Sequence, residues 1–108
     1  MILIHQFRHG IREVTLEIPG GLVEEKDTPL LAAQRELLEE TGCKAERWVD
    51  LGYVYPNPAI QDNRCWFVLA RGVERVGETR LDDGEDIDVR LAPLRDVPRL
   101  LEDGSIRH

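Results

Sequence analysis

The chain has 108 residues, enough for one domain and no more. With 42% hydrophobic and 32% charged residues, and no apolar run long enough to cross a bilayer, it reads as a compact soluble protein. A formal net charge of −7 excludes a nucleic-acid groove or an anionic membrane surface as the main partner, because both demand clustered Lys and Arg.

Met1 leads directly into "ILIHQF", with neither the basic start nor the small-residue cleavage site of a secretory leader, so the expected location is the cytoplasm. Cys43 and Cys65 lie far apart, outside any metal-type spacing, and read as reduced thiols. The runs "ILIHQFR" and "REVTLEI", joined by "HGI", predict a hairpin. In the second run Val14, Leu16 and Ile18 share one face and Glu13, Thr15 and Glu17 the other, and polar residues alternating in this way usually face water. "PGG", residues 19–21, ends the hairpin with residues suited to a close backbone approach.

The next element is the best defined. Thr28 caps a helix that starts at Pro29, and Gly42 supplies the left-handed residue that ends one. Leu30, Leu31, Leu37 and Leu38 gather on one side, while Glu36, Glu39 and Glu40 share the opposite side with Ala32 and Ala33 beside them. Beyond it, "RWVDLGYVY", "RCWFVLAR" and "DIDVRLA" predict three strands, and "RDVPRLLEDG" a short helix containing Pro98. Strands with one helix inserted and another near the end give an α/β or α+β sandwich.

A charged helix face is most often simply the solvated one. Glu36 and Glu40, however, are like charges at i, i+4, a pairing that costs a few tenths of a kcal/mol, and only Arg35 is placed to relieve Glu39. A divalent cation removes that repulsion. Mg²⁺ suits carboxylate ligands and also lets an acidic protein bind an anionic pyrophosphate. His5, His9 and His108 show no spacing for a metal or a nucleophile, so water is the expected attacking group.

The segment "GLVEEKDTPLLAAQRELLEETGC", residues 21–43, resembles the signature of the Nudix hydrolases, with Gly21, Arg35, Glu36, Leu37, Glu39, Glu40 and Gly42 in register. Asp27 stands where that family has its first Glu, and Cys43 takes the last aliphatic place. The resemblance implies one Nudix domain over residues 1–108, an α/β/α sandwich with a mixed β-sheet, and Mg²⁺ or, in its place, Mn²⁺. It implies Glu36, Glu39 and Glu40 as metal ligands, Glu39 also as a water-orienting group, Arg35 as a support for the glutamates, and the Gly20 carbonyl as a further ligand.

"HQFRHG", "LEIPGG", "YPNPAI" and "LDDGEDIDV" extend the likeness to the branch that cleaves ADP-ribose and nucleoside diphosphate sugars. By position, Asp83 takes the general-base place and Glu85 a ligand place. Arg8 faces phosphate or nucleotide, Glu17 the ribose or base side, and Pro58 shapes the substrate loop, with Tyr55 or Trp66 open to either a core or a base-stacking role. Triphosphates, dinucleoside polyphosphates and non-catalytic nucleotide binding remain the alternatives. The chain starts and stops inside the branch's pattern, so the expectation is either a compact variant lacking the N-terminal and C-terminal elements or a fragment of a longer protein. Apolar surface left bare by their loss, together with the branch's habit, leads to the expectation of a homodimer.

Overall fold

The computed structural model describes residues 1–81 and 86–107. β1 (Ile2–Arg8) and β2 (Glu13–Glu17) form an antiparallel hairpin in which Ile4 faces Glu17, Gln6 faces Thr15 and Arg8 faces Glu13. The connecting turn is closed by Arg12 N–H donating to the Arg8 carbonyl at 2.8 Å. β5 (Ile87–Leu91) pairs antiparallel with the other edge of β1, giving the order β2-β1-β5. β3 (Cys43–Val54) and β4 (Cys65–Arg75) make a second, two-stranded antiparallel sheet. The α/β class is the expected one. Where the resemblance implied a mixed sheet, every strand pairing among the described residues is antiparallel.

α1 (Pro29–Thr41) packs against β3 and β4 and also touches β5, so it bridges the two sheets. Its ends are set locally, as the sequence indicates. Thr28 Oγ1 accepts from Leu31 N–H at 3.2 Å, and Gly42, at φ 68°, returns its N–H to the Leu38 carbonyl. The Gly42 carbonyl in turn accepts from Val76 and Gly77 N–H at 2.8 and 3.1 Å, while Arg80 N–H meets the Glu39 carbonyl at 2.7 Å. Backbone hydrogen bonds thus tie the helix end to the exit of β4.

Several boundaries differ from those read in the sequence. β3 begins directly after Gly42 rather than at Arg47, and β4 runs on to Arg75. These extensions are held by cross-strand pairs such as Lys44 with Glu74 and Ala45 with Val73, which a single strand's alternation does not announce. A register shift between Asp50 and Tyr53 is closed by Gly52, at φ 87°, whose N–H donates to Asp50 Oδ1 at 2.7 Å. The last helix splits into a 3₁₀ turn (Leu94–Asp96) and α2 (Val97–Glu102), with Pro98 in the first turn, where its missing N–H costs nothing.

Two burial patterns run against the sequence reading. On β2 the polar residues Thr15 and Glu17 are buried, whereas Val14 is 63% exposed and Ile18, just past the strand, 49%. On α1, Leu37 is buried but Leu30 and Leu31 are 43% and 49% exposed, while Ala32 and Glu40, two turns apart on the acidic side, are 3% and 2% exposed. Among the described residues the buried apolar set is Leu3, Ile4, Ala32, Leu37 and Cys43, matched by an equally large buried polar set of Gln6, Thr15, Glu17, Glu40 and Thr41. So polar a centre in so small a domain opposes stability and points to function.

At Gly42 a Cβ would lie 2.3 Å from the Gly77 carbonyl oxygen, on a backbone conformation that L side chains rarely adopt. Gly42→Ala is expected to destabilise the fold by about 1–3 kcal/mol, measured as a lowered urea midpoint at unchanged m-value.

Candidate active site

The "PGG" turn brings the end of β2 onto α1. Gly20 N–H donates to Glu40 Oε2 at 2.9 Å, so the turn meets the buried carboxylate through its amide, while the Gly20 carbonyl was the group the resemblance implied as a ligand. Gly21 is tighter still. A Cβ there would lie 2.1 Å from Glu36 Oε1, so the absence of a side chain at 21 is what lets the Glu36 carboxylate lie against the backbone. Both members of the i, i+4 acidic pair therefore face one glycine turn.

Arg35 organises the other acids. Its Nη1 donates to Glu36 Oε1 at 2.9 Å and Glu39 Oε2 at 3.1 Å, its Nε to Asp27 Oδ2 at 3.4 Å, and its Nη2 to the Leu22 carbonyl at 2.9 Å. Partial burial alone would lower the guanidinium's pKa. Hydrogen bonds to Glu39 and Glu36, the Glu36 charge and the Asp27 contact outweigh it and hold the pKa above its ordinary value. Asp27, on its shorter arm, still reaches Arg35, so the charge that the resemblance places there as Glu is kept and serves the arginine.

In this arrangement the cation between Glu36 and Glu39 is Arg35. Among the described residues no three Asp, Glu, His or Cys side chains converge as a ready-made metal cage. The donor set nevertheless fits a hard divalent ion. Glu36, Glu39 and Glu40 offer only oxygens from adjacent turns of one helix, and the space above Gly21 already admits a carboxylate. Asp83 and Glu85 lie outside the described residues.

The β1–β2 hairpin adds a second cluster. Arg8 grips Glu17 through two parallel hydrogen bonds, Nε to Oε1 at 2.8 Å and Nη2 to Oε2 at 2.6 Å. The structure thus joins two residues that the sequence assigned to different parts of a substrate. Thr15, which the sequence reading passed over, donates its hydroxyl to Glu17 Oε1. The signal available for it was its place on the same strand face as Glu17, two residues away. Beside Arg8 runs a groove of about 520 Å³ lined by Arg8, His9, Gly10, Ile11, Thr15 and Arg107.

Pro58 is not drawn into either cluster's elements. It sits exposed in the β3–β4 connection, in a turn where the Asn57 carbonyl accepts from Ile60 and Gln61 N–H. At the same end of that hairpin Tyr53 packs 4.8 Å from Trp66 and 5.5 Å from Tyr55, with Arg64 4.6 Å above the Tyr53 ring. Hydrogen bonds with Tyr53 and then Arg64 lower the Tyr55 pKa.

Comparison with known proteins supplies an independent view. A family model described as the NUDIX domain matches residues 1–108. An ADP-ribose pyrophosphatase of Bacillus subtilis (strain 168) is 32% identical over 107 residues, covering 98% of this chain and 58% of that protein. An ADP-ribose pyrophosphatase of Mycobacterium tuberculosis is 30% identical over 106 residues, covering 96% of this chain and 51% of its own length. The chain spans about half the length of these curated relatives. A crystal structure of an ADP compounds hydrolase superposes with a TM-score of 0.87 at 26% identity, over 99% of this chain and 57% of that one.

Gly21→Ala tests the glycine turn. It should leave the circular dichroism spectrum and the melting profile close to wild type. Displacing Glu36 should weaken Mn²⁺ binding, followed by calorimetry, by about ten- to a hundredfold.

Proposed function

This chain belongs to the Nudix family, and on that premise we propose that it hydrolyses the pyrophosphate bond of a nucleoside diphosphate joined to a second moiety, with ADP-ribose or a related sugar nucleotide as substrate. The observation that carries the reading is the Glu36–Glu39–Glu40 cluster, folded against the Gly20–Gly21 turn and held by Arg35. The two ADP-ribose pyrophosphatase relatives favour the substrate class.

In the proposed reaction a water oxygen bonds to one phosphorus and the bond from that phosphorus to the bridging oxygen breaks. The products are a nucleoside monophosphate and a sugar phosphate, with the water's protons passing to a base and then to solvent. Glu36, Glu39 and Glu40 would hold Mg²⁺, or Mn²⁺ in its place, which when bound neutralises phosphate oxygens and acidifies water. Arg35 keeps the carboxylates in register when no cation is present, so the site does not fly apart by self-repulsion. Gly20 N–H holds Glu40 in one orientation. Arg8 presents its guanidinium to the diphosphate at the mouth of the hairpin groove. Asp83 as base, Glu85 as a further ligand and Pro58 as a shaper of the substrate loop complete the proposal from the family resemblance.

The cytoplasm is the proposed location, supported by two free thiols, Cys43 and Cys65. Among the described residues no helix is long and apolar enough to cross a membrane. A homodimer is proposed because large apolar side chains stand exposed on both α1 and the β3–β4 hairpin, Leu30, Leu31, Leu51, Val54 and Phe67 among them.

With Mg²⁺ present, purified protein should release AMP and ribose 5-phosphate from ADP-ribose. Chelation by EDTA should abolish this, and readdition of Mg²⁺ or Mn²⁺ should restore it. A panel of sugar nucleotides, triphosphates and dinucleoside polyphosphates, read by product chromatography, overturns the proposal if no monophosphate appears from any sugar nucleotide. Glu40→Gln preserves an acceptor for the Gly20 amide and should keep the melting profile. Its kcat should fall about a hundred- to ten-thousandfold, and an unfolded variant would make Glu40 structural instead.

A further inference from the structure

The β1–β2 hairpin buries more polarity than its hydrogen-bonded ladder requires. Gln6, Thr15 and Glu17 share one face of the sheet, and all three are buried. The Thr15 hydroxyl is directed at both Glu17 Oε1 and, at 3.2 Å, the Gln6 carbonyl. Gln6 Oε1 is buried and finds no hydrogen-bond partner among the described residues. Such a strip is costly, since a buried acceptor without a donor gives up its hydrogen bonds to water and gains none in exchange. Apolar residues at these positions would make a firmer sheet, so the strip is kept for what it holds.

What it holds is Arg8, and the pair is lopsided. The Glu17 side chain is 7% exposed and that of Arg8 43%, so the carboxylate is sunk in the sheet and the guanidinium reaches outward. A substrate arriving from solvent meets the arginine before it meets the glutamate. The groove wall confirms the geometry, because Arg8 and Thr15 line it and Glu17 does not. Among the described residues its lining includes two arginines and a histidine and no acid, in a chain of net charge −7. Arg107, the second arginine, is moored by Nη1 to Glu13 Oε2 at 3.0 Å and by Nε to the Gly104 carbonyl at 3.0 Å. Both guanidiniums are therefore oriented by the protein.

We propose that Glu17 is a positioning residue for the substrate's anionic group: with Thr15 it fixes the Arg8 guanidinium at the groove's edge and does not itself touch the substrate. This replaces the ribose or base contact that the family resemblance implied for Glu17, and it rests on the reading of Arg8 as a diphosphate ligand. A free arginine side chain loses rotamer entropy when it is immobilised, and a bidentate carboxylate removes that cost before binding. The location fits. Glu17 lies three residues before Gly20, whose amide meets Glu40, so the arginine's anchor and the acidic cluster hang from one short stretch of chain, about 10 Å at full extension.

A double-mutant cycle on the whole chain tests the proposal, with kcat/KM for ADP-ribose and calorimetric binding of ADP as separate readouts and melting curves as the folding control. Arg8→Ala should weaken both about thirtyfold or more, and Glu17→Gln about tenfold, chiefly through KM. The double variant should be no worse than Arg8→Ala alone, because a residue acting only through Arg8 has nothing left to lose. Arg8→Lys, which lacks the fork, should likewise make Glu17→Gln nearly silent. If Glu17→Gln fails to fold, Thr15→Val carries the same expectation at about threefold. Losses that multiply in the double variant would show Glu17 touching the ligand directly and overturn the proposal, as would a Glu17→Gln protein with unchanged ADP binding. Absence of ADP-ribose hydrolysis by the wild type would defeat the proposed reaction alone, since the cycle in ADP binding still decides the role of Glu17.

Discussion

Three carboxylates on adjacent turns of one helix, with Glu40 at 2% exposure, are the constraint around which the molecule is arranged. Burying one such charge without compensation is prohibitive, and burying it beside two more is worse. The fold answers with groups that cost it little. Gly20 lends an amide, Gly21 lends the space of a missing side chain, and Arg35 supplies a cation whose own charge is stabilised by the acids it serves. The helix must then turn its acidic side inward, and Leu30 and Leu31 are pushed outward as a result.

The same inversion occurs on β2, and together the two cases define what was legible from the sequence. The caps of α1 were, because Thr28, Pro29 and Gly42 act on the backbone within a few residues of themselves. The existence of the strands was legible too, since alternation is a property of each strand alone. Which face would be buried was not. Periodicity separates Val14 and Ile18 from Thr15 and Glu17 but assigns neither set to the interior, and the usual assumption fails where Glu17 is sunk in the sheet to grip the outward-reaching Arg8. The early start of β3 and late end of β4 escaped notice for a related reason, as partners such as Lys44 and Glu74 lie thirty residues apart.

The acidic helix was recognisable as a site because its residue types follow a spaced pattern. Its geometry was less so. The pattern named Gly20, and the structure shows its amide engaged with Glu40. It named Arg35 as a support, and the structure gives that support a measurable form, one nitrogen shared between Glu36 and Glu39. Arg8 and Glu17 stood as two separate contacts in the pattern, and only in three dimensions do they become one unit.

The junction at the end of α1 is fastened mainly by main-chain hydrogen bonds, Val76 and Gly77 amides on the Gly42 carbonyl and the Arg80 amide on that of Glu39, with Arg75 Nε adding a bond to the Gly77 carbonyl. The side chains of Val76 and Arg80 are consequently at liberty to vary, since nearly any amino acid delivers the same N–H. Proline, which has none, would unfasten the joint at 76, 77 or 80. Evolution could thus retune the periphery of this protein without shifting the lever on which its acids are mounted.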